Sequence, residues 1–373
     1  MRARAAMLWE QPGQWQVEDV EVPDEPGPGE VLVEMVASGL CHSDDHFATG
    51  DIPVRHFPYC GGHEGSGIVR AVGPGVHGLA EGDHVVTSFV PACGTCRWCA
   101  SGNANLCDYG AHVLGGAQPD GTFRMTTSGG RAVGRMAMLG TFASWQVFDQ
   151  ASVIKIRPDV PLNVACLVAC GVPTGYGTAV NAAGVQPGDV VVVMGCGGIG
   201  INAVQGAALA GARHVIVVDP HPFKRETALK LGGTEAFATI DEATDFARSI
   251  TNGQGADSAI VTVGVLKSED VGHAFKAIRK AGTVAVTALG SLAEFGIPVS
   301  LFELAMYQKK IQGVLYGIGS PRESVSKLLD LYAGGRLRLD ELVTTRYSLD
   351  QVNQGYADMH AGKNIRGVID FEH

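Results

Sequence analysis

The sequence predicts an α/β protein in which a β-rich unit is followed by a parallel α/β unit and a short return segment. From Gly29 to about Gln150, short strand-like runs such as EVLVEMVASG, GSGIVRAVG and GDHVVTSFV alternate with turns. From about Gly188, apolar strands such as DVVVVMG and HVIVVD alternate with helix-like segments, which is typical of a parallel sheet. A chain of 373 residues is also long enough to form two domains.

The composition excludes several classes of protein. Apolar residues make up 46% of the chain and charged residues 18%, which indicates a well-buried fold rather than disorder. A net charge of −10 without a Lys/Arg run argues against a nucleic-acid partner. The N-terminus, Met1 to Trp9, lacks the apolar core of a signal peptide, and no stretch approaches the roughly 20 apolar residues of a membrane span. We therefore expect a cytoplasmic protein without membrane association.

The later segments continue the pattern. IGINAVQGAALAGA and PFKRETALKLGG predict helices, whereas ADSAIVTVG, GTVAVTALG and KIQGVLYG predict buried strands. After about Tyr316, two amphipathic helices (RESVSKLLDLYAGG and LDQVNQGYADMHAG) precede a last strand, IRGVIDF, which we expect to rejoin the first domain. The Gly-rich, irregular segment from His112 to Met138 is predicted to be a long surface loop.

A glycine pattern predicts a dinucleotide site. Gly195, Gly197 and Gly200 form G-x-G-x-x-G between an apolar strand and a helix. The glycines permit a tight turn, close approach of a pyrophosphate and helix–strand packing, and the helix N-terminus attracts phosphate. A glycine-rich turn without a nucleotide is the alternative, and the strand and helix that flank the turn argue against it.

Asp219 indicates which dinucleotide would bind. It ends the next strand, 19 residues beyond Gly200. A carboxylate there accepts hydrogen bonds from the ribose hydroxyls and repels the 2′-phosphate of NADP, so NAD is the predicted cofactor. Alternatively, Asp219 caps the following helix. Lys224 either reaches the same ribose or is a solvated helix lysine.

Four of the nine cysteines are clustered. Cys93, Cys96, Cys99 and Cys107 read C-x2-C-x2-C-x7-C, and the odd total without a secretory signal argues against disulfides. Four thiolates in a short loop can close a tetrahedron around Zn²⁺, and such a site is structural because it has no open coordination position. Iron–sulfur ligation is the alternative for four cysteines.

Three further residues with metal-binding side chains are dispersed along the chain. Cys41 lies in GLCHSDDH, His63 in GGHEGSG and Cys170 in LVACGVPTG. Two thiolates and an imidazole would leave a fourth zinc position for water or substrate. Taken singly, each is more often a packing cysteine or a hydrogen-bonded core histidine, and their spacing does not group them.

The motifs in their chain order resemble the zinc-containing medium-chain dehydrogenase/reductase family. GLCHSDDH, GHEGSGIVRAVG, the four-cysteine lobe, CGVPTGYG and the nucleotide turn carry this resemblance over essentially the whole chain. Within the family the sequence is most similar to NDMA-dependent, mycofactocin-associated nicotinoprotein alcohol dehydrogenases, through CGVPTGYGTAVNAAGVQPGDVVVVMG, INAVQGA and GKNIRGVI. The resemblance implies a GroES-like catalytic domain, residues 1–171 and 316–373, that contains the structural zinc lobe, 93–107. It also implies a Rossmann NAD-binding domain, residues 172–315.

The resemblance also implies roles for individual residues. Cys41, His63 and Cys170 would hold a catalytic zinc, with Asp44 orienting the imidazole. Glu64 would ligate the metal transiently, or would be a buried acid paired with a base such as Arg366. Residues that would contact the cofactor, beside the three glycines, Asp219 and Lys224, are His42, Thr174, Gly198, Ile199 and Arg366.

The proton path and the substrate pocket follow from the same resemblance. Ser43 would accept the alcohol proton and pass it through the nicotinamide ribose to His46 and water, although a turn serine and an exposed histidine are the alternatives. Phe89 and Leu139 would be walls of the substrate pocket. Ala111 stands where relatives acting on glutathione adducts carry an arginine, which disfavours such a substrate.

Together these features predict reversible hydride transfer between a primary or secondary alcohol and NAD, with two Zn²⁺ per chain. The nicotinoprotein resemblance implies that NAD stays bound and is re-oxidised by an external carrier of the NDMA or mycofactocin type. A homodimer or homotetramer is also implied. The alternatives are an S-hydroxymethylglutathione/formaldehyde dehydrogenase, a non-redox binding protein on this fold, and a zinc hydrolase using metal-bound water. The zinc ligands oppose the binding protein, and the nucleotide turn opposes the hydrolase.

Overall fold

The computed structural model describes residues 1–291 and 294–371. The chain divides into two compact units, one formed by Met1–Cys170 and Gly319–His373 and the other by Gly171–Ile318. The strands and helices of both units are numbered in chain order.

The first unit is built from antiparallel-rich sheets with short helices. Its strands are β1 (Arg2–Leu8), β2 (Gln16–Glu21), β3 (Glu30–Gly39), β4 (Tyr59–Cys60), β5 (Glu64–Val72), β6 (His84–Thr87), β7 (Thr126–Thr127), β8 (Gly134–Arg135), β9 (Trp145–Asp149), β10 (Val153–Lys155), β17 (Val343–Tyr347) and β18 (Arg366–Asp370). Its helices are α1 (His42–Thr49), α2 (Arg97–Ala100), α3 (Leu162–Ala165), α10 (Pro321–Ala333) and α11 (Val352–His360).

Strand β3 lies at the centre of the first unit. One sheet has the order β7-β2-β1-β4-β8, and the other has the order β10-β6-β5-β3-β18-β17 with β9 also paired to β3. The antiparallel pairing of β18 with β3 confirms that the C-terminal strand rejoins the first domain. Buried apolar side chains of β3, such as Val31, Val33 and Met35, form the core together with Phe142 and Phe148.

The second unit alternates strands and helices. Its strands are β11 (Val190–Met194), β12 (His214–Val218), β13 (Glu235–Phe237), β14 (Ala256–Val261), β15 (Ile278–Val286) and β16 (Lys310–Gly313). Its helices are α4 (Gly171–Gly177), α5 (Gly200–Leu209), α6 (Pro222–Lys230), α7 (Ile240–Ile250), α8 (Ser268–Ala277) and α9 (Leu301–Met306).

The strand order of the second unit identifies a doubly wound nucleotide-binding fold. All five pairings in the order β13-β12-β11-β14-β15-β16 are parallel. Every residue of β11, VVVVM, is buried, as expected for a strand covered on both faces. In such sheets a ligand binds at the carboxyl ends of the strands where the order reverses, here at β11. This confirms the predicted Rossmann arrangement.

Two details of the first unit were not predicted. The prediction of a surface loop from His112 to Met138 is wrong in part. Met125, Val133 and Arg135 are buried, and strands β7 and β8 lie within this segment. Strand β17 was missed because its sequence, VTTRY, is only half buried and contains few apolar residues.

In the part of the chain that the structure describes, no single helix has both the length and the hydropathy of a bilayer span. One bent pair, Leu162–Ala169 with Gly171–Ala182, meets these criteria only when its two members are joined.

Candidate metal centre and nucleotide turn

The register of two neighbouring strands brings Cys41 and His63 together. Strands β3 and β5 are antiparallel, and Gly39 lies opposite Glu64. Cys41 follows the end of β3 and precedes α1, whereas His63 directly precedes β5. Cys170 follows the short 3-10 turn Cys166–Ala169, which packs on β5 and β3. Three residues far apart in sequence therefore meet at one end of a sheet.

The donor atoms at this point suit a zinc ion. Cys41, His63, Glu64 and Cys170 each offer one ligand atom, and these four atoms all lie within 4.8 Å of one another. Two sulfurs with one imidazole and one oxygen are a common donor set for zinc. A hydrogen bond with Cys170 lowers the pKa of Cys41 well below that of a free thiol, so this sulfur is available as a thiolate. The residues present thus fit the predicted metal.

Asp44 fixes the imidazole of His63. Its Oδ1 accepts hydrogen bonds from His63 Nδ1 at 3.2 Å and from the Gly62 backbone N–H at 2.9 Å, and its side chain is fully buried. Because a carboxylate only accepts, Nδ1 carries the proton and Nε2 is left for a metal. The Phe89 ring stands edge-on to the imidazole, with centroids 5.5 Å apart.

Glu64 and Arg366 form a buried ion pair. Arg366 Nη2 donates to Glu64 Oε2 and also to the Leu40 carbonyl oxygen, at 3.2 Å. Burial raises the pKa of Glu64 to about 7 despite the attraction of the guanidinium. Oxygen Oε1 of Glu64 has no hydrogen-bond partner among the described residues, so this oxygen is available as a metal ligand. Glu64 therefore pairs with Arg366 through one carboxylate oxygen and is also one of the four residues that offer a ligand atom to a metal.

The four clustered cysteines converge on a second point. All four sulfurs lie within 4.8 Å of one another, with Sγ–Sγ distances of 3.9 Å for Cys93–Cys99 and for Cys96–Cys107. Backbone N–H groups of Cys93, Cys96 and Cys99 donate to sulfurs of the cluster at 3.4–3.5 Å. The bond from Cys99 lowers the pKa of Cys96, whereas burial raises the pKa of Cys99 and raises that of Cys107 to about 12. This donor set also fits zinc.

The glycines of the nucleotide turn are each required for a different reason. Gly195 has φ +88°, and a Cβ there would lie 2.8 Å from the Thr262 carbonyl oxygen. A Cβ at Gly200 would collide with the Gly195 carbonyl oxygen, so this glycine permits close packing of the helix on the turn. Among the residues that the structure describes, no heavy atom lies within 4 Å of a Cβ placed at Gly197, which leaves that side of the turn open to a ligand.

Asp219 lies at the same turn. Its Oδ2 accepts the Cys196 backbone N–H at 2.8 Å, and its Oδ1 accepts the His221 N–H at 2.9 Å. Each oxygen keeps a lone pair that a ribose hydroxyl could use. Asp219 is not the N-cap of α6, because His221 occupies that position. Arg225, which the sequence did not single out, donates to the Asp219 carbonyl oxygen at 2.7 Å.

The predicted proton-transfer residues lie on α1. Ser43 Oγ is 3.6 Å from Cys41 Sγ. His46 is buried, which contradicts the alternative of an exposed histidine, and its Nδ1 is 2.9 Å from Asp51 Oδ2. Asp51 was missed because no motif contains it.

The remaining predicted residues occupy varied positions. Leu139 is fully buried in the core of the first unit. Thr174 is buried on α4, and its Oγ1 has no hydrogen-bond partner among the described residues. Ile199 precedes α5 directly after Gly198, and Lys224 lies in the first turn of α6. His42 begins α1, with its ring 6.4 Å from that of His360.

Known proteins resemble this chain over its whole length. An alcohol dehydrogenase GroES-like domain model matches residues 27–158, and a zinc-binding dehydrogenase model matches residues 198–334. The NDMA-dependent alcohol dehydrogenase of Amycolatopsis methanolica is 50% identical over 369 residues, 99% of each chain. Alcohol dehydrogenase B of Mycobacterium tuberculosis is 48% identical over 370 residues, 99% of this chain and 98% of that one. The crystal structure of an alcohol dehydrogenase zinc-binding domain protein from Burkholderia ambifaria, 32% identical, has a TM-score of 0.94 and covers 100% of both chains.

Proposed function

This chain belongs to the zinc-containing alcohol dehydrogenases of the medium-chain dehydrogenase/reductase family, and we propose that it oxidises a primary or secondary alcohol with NAD. The alcohol carbon loses a hydride to NAD⁺ and the oxygen loses a proton, which gives a carbonyl compound, NADH and H⁺. The convergence of Cys41, His63 and Cys170 around an imidazole held by Asp44 is the observation that carries this proposal.

The residues of the metal centre would have different roles in the reaction. Zinc supplies a Lewis acid that lowers the pKa of a coordinated hydroxyl, and NAD supplies the hydride acceptor. Asp44 keeps the His63 proton on Nδ1, so that the orientation of the imidazole does not change during turnover. Arg366 would hold Glu64 beside the ligand sulfurs, so that Glu64 Oε1 would be available as a further ligand of the zinc.

Ser43 and His46 would carry the proton. They lie three residues apart on α1, so their side chains are neighbours on one helix face. Ser43 Oγ is close to Cys41 Sγ and is therefore placed beside the metal donors. We assign the first proton transfer to Ser43 Oγ and the final acceptance to His46 Nε2.

We propose two zinc ions per chain and NAD rather than NADP. The sulfur-only cluster of Cys93–Cys107 would hold the structural ion, because four sulfurs leave no open position. Asp219 supports NAD, since its carboxylate is fixed at the nucleotide turn by two backbone amides and would repel a 2′-phosphate.

We also propose that NAD is not exchanged during turnover. The relative named NDMA-dependent supports an NAD that stays bound and is re-oxidised by an external carrier.

A homodimer, alone or within a tetramer, would form through β16, an edge strand of its sheet with no outer partner in the described part of the chain. Phe295, Leu301, Phe302 and Met306, which precede it, are exposed apolar side chains of the kind an interface covers.

The test uses the purified zinc-loaded protein. Denaturation should release NAD and two equivalents of zinc, and alcohol added without NAD should reduce the bound cofactor once. Sustained turnover should need NDMA but no added NAD. An absence of alcohol-dependent nicotinamide reduction in fully zinc-loaded protein would overturn the proposed function, whereas a need for added NAD would overturn only permanent cofactor retention.

A further inference from the structure

His46 has a partner that links this buried ring to solvent. The His46 side chain is 5% exposed and the Asp51 side chain 43% exposed, and Nδ1 and Oδ2 are 2.9 Å apart. Thr49 Oγ1 donates to the same Oδ2 at 3.0 Å. Since an ionised carboxylate only accepts, Nδ1 must carry the proton, and Nε2 is then the basic atom of the ring.

We propose that Asp51 is a positioning residue that fixes the tautomer of His46 and balances its charge when the imidazole accepts the alcohol proton. This inference rests on the proposed function for its catalytic meaning, although the tautomer itself does not depend on that function.

The backbone around Asp51 is fixed rather than loose. Gly50, with φ +92°, ends α1 and turns the chain back toward the helix. The Ile52 N–H donates to the His46 carbonyl oxygen at 3.0 Å. Gln11 secures the same turn, because its Nε2 donates to the Ile52 carbonyl oxygen at 2.8 Å and its Oε1 accepts the Val54 N–H at 2.7 Å. Asp51 is therefore held beside the ring by contacts that do not involve its own side chain.

The two carboxylates of α1, Asp44 and Asp45, have partners other than His46. Asp44 accepts from His63, and Asp45 Oδ2 lies 2.7 Å from Nε2 of His360. The hydrogen bond with His46 lowers the pKa of Asp51, and the hydrogen bond with Thr49 lowers it further. The carboxylate of Asp51 is therefore ionised at neutral pH. Asp51 is thus the carboxylate that accepts the hydrogen bond of the His46 ring.

The proton balance explains why a carboxylate is useful there. When Nε2 takes one proton, the net charge of the His46–Asp51 pair changes from −1 to zero. An imidazolium buried without a counter-ion would be costly, because a charge removed from water needs a partner. After turnover the pair returns the proton to water and regains its charge of −1.

The variants that test this are Asp51→Asn and Asp51→Leu. Asparagine keeps an oxygen acceptor without the charge, whereas leucine removes both. A matched control is Glu235→Gln, because Glu235 Oε1 lies 3.0 Å from Nδ1 of His214 in a similar pair outside the proposed machinery.

Two readouts apply. In histidine-labelled protein, ¹⁵N NMR reports which ring nitrogen of His46 carries the proton, with the signal assigned by its loss in His46→Gln. Steady-state kinetics in H₂O and D₂O report whether proton release has become slower. General acid–base catalysis contributes about 10²- to 10⁴-fold, so we expect kcat to fall about 3- to 10-fold for Asp51→Asn and about 10- to 100-fold for Asp51→Leu. The alcohol KM should change little, and the solvent isotope effect should grow in both.

The expected tautomer result is retention of Nδ1–H in Asp51→Asn and a mixed or Nε2–H ring in Asp51→Leu. An unchanged Nδ1–H signal in Asp51→Leu would overturn the positioning role, even if the wild-type protein oxidised no alcohol at all. A changed tautomer with unchanged kcat and isotope effect, in a protein that does turn over, would overturn the catalytic part. If Glu235→Gln changed kcat and the solvent isotope effect as much as the Asp51 variants do, the changes would reflect a general loss of structure. That result would also overturn the catalytic part of the proposal.

Discussion

Alanine at Gly197 should weaken cofactor binding without weakening the fold. A Cβ placed there meets no heavy atom of residues 1–291 and 294–371 within 4 Å, and the backbone of Gly197 is outside the left-handed region. The substitution should therefore raise the free energy of unfolding slightly, by about 0.4–1 kcal/mol, because it restricts the unfolded chain. Any loss of function must then come from a ligand that needs this space.

The expected loss of affinity follows from crowding at the bound pyrophosphate. An extra methyl in a packed contact costs about 1–3 kcal/mol, and a tenfold change in affinity corresponds to about 1.4 kcal/mol. We therefore expect NAD to bind about 5- to 150-fold more weakly. Gly200→Ala should behave differently, because its Cβ would collide with the Gly195 carbonyl oxygen and would lie 2.6 Å from Thr262 Oγ1, so the fold itself should lose stability.

The assay compares NAD content and thermal unfolding in the same preparations. Gly197→Ala should be purified with less NAD and, after removal of residual cofactor, should unfold at or slightly above the wild-type temperature. Gly110→Ala is the matched control, since Gly110 also has open space around its Cβ. NAD bound by Gly197→Ala as tightly as by the wild type would refute the assignment of this turn to the pyrophosphate.

Three other predictions concern the metal sites and cofactor choice. Cys41→Ser should lose the catalytic zinc, and turnover should fall at least about 10³-fold with the fold intact, whereas Cys60→Ala, a buried thiol outside the site, should keep its zinc on metal analysis. A chelator should make the thiols of Cys93 and Cys96, whose pKa values lie below that of a free thiol, reactive toward alkylation before Cys60, whose pKa is raised to about 12 by burial; mass spectrometry showing Cys60 alkylated first would contradict the lobe assignment. Asp219→Gly should relax the preference for NAD over NADP, and an unchanged ratio of kcat/KM would count against the ribose contact.

The fold could be predicted largely from the alternation of strands, helices and glycine turns. The all-buried VVVVM strand of the second unit and the glycine turn after it are local features, so the sequence shows them directly. Arg135 shows the limit of this reasoning. A charged residue in a Gly-rich segment indicates a surface, yet Arg135 is buried, where its Nη1 donates to Gln146 Oε1 at 2.8 Å and to the Val147 carbonyl oxygen at 2.6 Å. Those acceptors belong to a strand that the local sequence does not identify as a neighbour.

The candidate site divides in the same way. The four-cysteine lobe was predicted from spacing alone because its members are near one another in sequence. Cys41, His63 and Cys170 were grouped only through family resemblance, since strand register and a distant turn bring them together. Asp51 was not predicted by either route. Its contact with His46 depends on the turn at Gly50, and an exposed aspartate near a helix end is common in any sequence.

The most direct test of the central claim is a single turnover with an alcohol in which every hydrogen on the reacting carbon has been replaced by deuterium. Zinc-loaded protein with bound NAD⁺, mixed with this alcohol without any other acceptor, should form one equivalent of reduced nicotinamide that contains the deuterium, and the metal-free protein should form none. Reduced nicotinamide without deuterium, or equal reduction after zinc removal, would contradict direct hydride transfer at a metal held by Cys41, His63 and Cys170.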